Sequence, residues 1–101
     1  MFRSQRSEEQ LEPPPIAGED CGAIEVLRVW AAPDGPQQVS LRTKWEDPGA
    51  WGLMLVDVAR HVAKAYAKEG RNEAEVLHRI RDLFDAEWSD STDTPQDLDV
   101  Q

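Results

Sequence analysis

The sequence predicts an α+β fold, a β-hairpin followed by two antiparallel α-helices (ββαα), set between disordered acidic tails. Three observations carry this. Hydrophobic period changes between Ile24 and Trp88 from two-residue alternation to helical spacing. A turn segment, Pro33-Asp34-Gly35-Pro36, separates two β-rich runs, and Asp47-Pro48 opens the helical part. The implied organisation is a flexible Pro/Glu-rich segment over 1–21, a single α+β domain over 22–88 and a flexible acidic tail over 89–101.

The N-terminal segment contains Glu8, Glu9, Glu12 and the run Pro13-Pro14-Pro15. Proline rings fix φ and remove backbone donors, so an extended or polyproline II lead-in is expected there. Ile24 to Ala31 is β-branched and aromatic enough for a strand, with Ile24, Val26 and Trp30 on one face and Leu27 and Val29 on the other. Asp34-Gly35 tolerates positive φ and forms the expected tip. Gln37 to Trp45 alternates Val39, Leu41, Thr43 and Trp45 with Gln38, Ser40, Arg42 and Lys44, as for a strand with one wet face. A tip at Asp34-Gly35 sets Trp30 opposite Val39, Ile24 opposite Trp45, and Glu25 opposite Lys44 as a charge pair. A bulge at the turn shifts that register by one.

Asp47 is the expected N-cap of the first helix, with Pro48 at the first helical position, where its missing donor costs nothing. The helix runs to about Glu69, and Gly70 takes the C-terminal capping position. Its apolar face is Trp51, Met54, Leu55, Val58, Val62, Ala65 and Tyr66. Asn72 with Glu75 has the spacing of a capping box for a second helix, which buries Val76, Leu77, Ile80, Leu83, Phe84 and Trp88.

The formal charge of −9 is concentrated in the ends: residues 1–21 carry two basic and five acidic side chains, residues 89–101 four acids, and residues 22–88 nine basic against eleven acidic. An acidic total opposes non-specific nucleic-acid binding, which depends on neutralising phosphates. The single Cys21 excludes an internal disulfide framework. Met1 to Asp20 has no apolar run resembling a signal-peptide core, and no later segment approaches the length of a membrane span. A soluble cytoplasmic protein is expected, without nucleic-acid or membrane partners.

Residue sets for chemistry are sparse. His61 follows Asp57 by one turn and His78 precedes Asp82 by one turn, but no Cys or further His completes a metal ligand set, so no metal and no cofactor is expected. No Ser sits in a Gly-x-Ser-x-Gly elbow, no glycine begins a nucleotide loop, and no catalytic residue is assigned. Two features stand above this background. A basic stripe of Arg60, Lys64 and Lys68 with Arg71, beside His61, offers a place for a phosphate or an acidic partner, while Asp57, Glu69 and the acidic tails can neutralise it, and a solvated face is the favoured account. Four tryptophans, Trp30, Trp45, Trp51 and Trp88, are many for so short a fold; most are expected in the core, with one available to an interface.

The runs Glu25-Val26-Leu27-Arg28-Val29-Trp30-Ala31-Ala32-Pro33, Gly35-Pro36-Gln37-Gln38-Val39, Asp47-Pro48-Gly49-Ala50-Trp51-Gly52-Leu53 and Val56-Asp57-Val58-Ala59-Arg60-His61 resemble the domain-of-unknown-function family DUF5076, over residues 22–90. The resemblance implies a free-standing, single-domain bacterial cytoplasmic protein. It brings no activity, cofactor or catalytic residue with it.

An isolated two-stranded hairpin is marginal in water, and a narrow ribbon covered by helices on one side leaves its other side open. The leading reading is therefore a non-catalytic protein-interaction module, paired with a second copy or another protein through Leu27, Val29 and Trp30. The alternative is a small anionic-ligand-binding or enzyme-like domain that uses Arg60, His61, Lys64, Lys68 and Arg71.

Overall fold

A computed structural model describes residues 9–20 and 22–90; residues 1–8, Cys21 and 91–101 lie outside the described residues. The element order is α1 (Ile16–Glu19), β1 (Leu27–Trp30), β2 (Gln38–Leu41), α2 (Gly49–Lys68) and α3 (Glu73–Ser89). The expected ββαα order holds, preceded by one short helical turn. The described residues divide into two compact units, one ending at Arg42 and the other beginning at Thr43.

In the first unit the triple proline ends in a helical turn. Pro15 has φ −55° and ψ −32°, and the carbonyls of Pro14 and Pro15 accept hydrogen bonds from the Ala17 and Gly18 N–H groups at 2.9 and 3.0 Å. A φ already near −65° favours the first turn of a helix as well as polyproline II, and here it opens α1. The expected tail behaviour of 91–101 falls outside the described residues.

β1 and β2 pair antiparallel with Leu27 across from Leu41, Val29 from Val39 and Trp30 from Gln38. The ladder extends one step further, the Arg42 N–H donating to the Val26 carbonyl at 3.0 Å. The register is thus one residue away from that of a tip at Asp34-Gly35. The cause is the loop: it runs from Ala31 to Gln37, and Asp34 and Gly35 do not adopt the positive φ of a tight primed turn. Glu25 accordingly does not meet Lys44; its carboxylate pairs with Arg28 at 2.9 Å and its carbonyl accepts from Arg42 Nε at 2.9 Å. Both strands are four residues long, and Ile24, Thr43 and Trp45 fall outside them.

The second unit is an αα-hairpin. Asp47 Oδ1 accepts the Gly49 N–H at 2.9 Å, and Pro48, with φ −59° and ψ −19°, already has helical geometry. α2 closes at Gly70, whose φ of +98° lies in the left-handed region that glycine occupies without strain. Asn72 then caps α3, its Oδ1 accepting the Glu75 N–H at 2.9 Å. The helices pack on each other, and the buried centre of the unit is Ala63 of α2 and Val76 of α3, 1% and 6% exposed.

The buried face of α2 is therefore not the one read from its largest side chains. Ala63 is buried with Ala59 and Ala67 half-buried beside it, whereas Leu55, Val58, Val62 and Tyr66 are exposed. Small side chains let two helices approach closely, and α3 takes that side. In α3 burial falls off along the chain: Val76 is buried, Leu77 and Ile80 are half-buried, and Leu83, Phe84 and Trp88 are exposed.

Candidate functional site

The basic stripe lies on α2 and the turn after it, and three of its five members are engaged within the helical unit. Lys64 Nζ is 3.2 Å from Glu73 Oε2 of α3. The Arg71 guanidinium sits over the Tyr66 ring, 5.4 Å from its centroid. His61 Nδ1 is 2.8 Å from the Asp57 carbonyl oxygen and 3.5 Å from the Asp57 carboxylate. Arg60 and Lys68 are exposed. The stripe is a set of surface pairs with two cations directed to solvent, and a helix surface of this kind holds an anion weakly.

The second histidine repeats the pattern, with His78 Nε2 3.6 Å from Asp82 Oδ2 on α3. These two pairs stay apart as separate surface contacts, and among the described residues no group of three metal-ligating side chains assembles. In the hairpin unit a shallow depression is lined by Glu25, Leu27, Arg28, Ser40 and Arg42. Its polar groups already serve one another through the Glu25 to Arg28 ion pair and the Arg42 bond to the Glu25 carbonyl.

The interface candidates of the hairpin separate between its two faces. Directly opposed residues share a face, so Leu27, Val29, Val39 and Leu41 form one aliphatic side and Arg28, Trp30, Gln38 and Ser40 the other. Leu27 is half-buried, while Val29 and Trp30 are exposed. The helical unit holds the larger apolar surface. Phe84 and Trp88 stack at a centroid distance of 5.6 Å, and Trp88 is 80% exposed. Trp45 and Trp51 meet edge to face at 5.3 Å and are half-buried. The expectation that most tryptophans belong to a core is overturned: Trp30 and Trp88 are exposed, Trp45 and Trp51 only half-buried, and the buried hydrophobic residues among those described are Ala63 and Val76.

The helical spacing places Leu55, Val58, Val62, Tyr66, Leu83, Phe84 and Trp88 inside. For the α2 members the signal for exposure is the width of the apolar arc. At about 100° per residue, Met54 through Tyr66 and Ala59 to Ala63 span roughly 200°, more than one neighbouring helix covers.

A hairpin followed by an αα-hairpin, with this much open apolar surface, defines a small α+β protein. The chain belongs to the DUF5076 family, described as a domain of unknown function, whose model matches residues 10–92. A solved structure from the photosynthetic bacterium Rhodopseudomonas palustrus CGA009, named as a "putative pyruvate dehydrogenase", is similar to it, with 40% sequence identity and a TM-score of 0.71 over 97% of this chain and 100% of that one. No curated protein matches the chain. No helix among the described residues is long and apolar enough to cross a membrane.

Proposed function

We propose that the protein is a non-catalytic, self-associating interaction module of the cytoplasm. One observation carries the reading: the buried hydrophobic residues among those described are Ala63 and Val76, while fourteen large apolar side chains are exposed. A monomeric protein rarely leaves so much apolar surface in water, and a small fold gains its missing burial most directly from a partner. Acidic composition keeps such a surface soluble, and a lone cysteine suits a reducing compartment. Light scattering coupled to gel filtration over a range of concentrations tests this. A mass above that of the 11.4 kDa chain is expected, and a monomer at every concentration overturns it.

A second reading takes the basic stripe as a weak site for a small carboxylate or phosphate. It draws on the name of the Rhodopseudomonas protein, which concerns a 2-oxo acid, and on the exposed Arg60 and Lys68. Thermal shift with pyruvate and with inorganic phosphate separates the readings, since a true ligand raises Tm with the logarithm of its concentration. An Arg60→Gln variant should abolish any such rise, and a rise that survives it removes Arg60 from the site.

A further inference from the structure

α2 carries two apolar arcs. The first is the alanine side, Ala59, Ala63 and Ala67, which takes α3 of the same chain. The second is the run Trp51, Leu55, Val58, Val62 and Ala65, spaced by four, three, four and three residues, the seam pattern of a helix in a coiled-coil-like contact. At about 100° per residue the arcs are centred roughly a third of a turn apart, near the quarter turn that separates the two neighbours of a helix in a square four-helix bundle. Leu55, Val58 and Val62 are exposed, so beyond Trp51, which meets Trp45, the αα-hairpin leaves this seam uncovered.

α3 offers an apolar surface in Leu83, Phe84 and Trp88, and a second copy of the chain supplies a foreign α3 to cover the α2 seam. The area fits: with aromatic side chains at about 150–250 Å² each, the exposed apolar surface of the two helices is on the order of 700 Å² per copy, against the roughly 800 Å² per partner of a standard interface.

We infer that two copies pair through their αα-hairpins, the Trp51–Ala65 seam of each α2 lying on the Leu83, Phe84 and Trp88 surface of the other copy's α3, to close a two-fold antiparallel four-helix bundle. The contact is isologous: the α2 seam of one copy meets α3 of the second, and the reverse contact repeats it. The hairpin face, with four aliphatic side chains on four-residue strands, contributes less apolar area and is not required for pairing. This inference rests on the self-association reading and names where that association lies.

Sedimentation equilibrium on the full chain tests it with Val62→Glu, the near-isosteric Val62→Thr, and Val29→Thr as the hairpin counterpart. The expected result is a two-copy wild type, a monomeric Val62→Glu that keeps its helical circular dichroism, and a Kd raised about tenfold or more by Val62→Thr, because a hydroxyl replaces a methyl in an apolar contact at two symmetric places. Val29→Thr should leave the Kd within about twofold. A dimer weakened by Val29→Thr and indifferent to Val62→Thr overturns the bundle and leaves self-association standing. A wild type that stays monomeric overturns both, and a mass of more than two copies overturns the closed two-fold arrangement.

Discussion

Val29 and Val39 face each other across the β-hairpin. The Arg42 N–H donates to the Val26 carbonyl, so hydrogen-bonded pairs recur at every second step and Val29 with Val39 is a non-hydrogen-bonded pair. In such pairs the side chains stand closest, and this one fixes which residues form the aliphatic side of the ribbon.

That geometry makes the register testable by a disulfide. In a Cys21→Ser background, Val29→Cys with Val39→Cys should oxidise to an intrachain bridge, since Cα atoms of such a pair lie about 4.5 Å apart. Trp30→Cys with Val39→Cys, the pair of the alternative register, should stay reduced under the same conditions. Intact mass, with and without reductant, reads both outcomes.

The helix caps should matter by similar amounts. Asp47→Ala removes the acceptor for the Gly49 N–H and Asn72→Ala that for the Glu75 N–H, so each should cost on the order of 1 kcal/mol. Denaturant midpoints should fall with little change in slope.

Two glycines should respond with opposite signs. Gly70 has a φ of +98°, so Gly70→Ala should destabilise by about 1 kcal/mol. Gly52 is inside α2 with nothing within 4 Å of an added Cβ, and Gly52→Ala should stabilise by about 0.5–1 kcal/mol through helix propensity alone. Thermal unfolding of the two variants side by side checks the difference.

The Lys64 to Glu73 bridge should contribute little. Its side chains are 66% and 47% exposed, so Glu73→Gln should change stability by less than about 1 kcal/mol, with the difference shrinking as salt is added. A larger loss would mean that the pair, and not the burial of Ala63 and Val76, joins the two helices.

The features legible in the sequence were those decided within a few residues. Asp47-Pro48 and Asn72 with Glu75 announce helix starts because a cap needs only its own neighbours, and Gly70 announces a stop because few other residues tolerate its φ. The register was not legible, since it depends on the path of the seven loop residues Ala31 to Gln37 and not on the dipeptide at their centre. The buried side of α2 was missed for a different reason: hydropathy weights Leu55, Val58 and Val62 above alanine, whereas close approach of helices rewards Ala63. The basic stripe was visible as a helical spacing, but the engagement of Lys64 by Glu73 depends on how α3 returns, which no local pattern encodes.

The burial of Ala63 also makes the chain's tolerance to substitution uneven. A position 1% exposed and occupied by a single methyl group has no direction in which to grow. Leucine or valine there would wedge the two helices apart, and glycine would loosen the turn of α2 on which they meet. Leu53, 77% exposed on the same helix, accepts polar replacement without consequence for packing. Among the alanines of α2, then, one ordinary-looking residue acts as the spacer that sets how far apart the helices run, and its latitude for change is the narrowest in the unit.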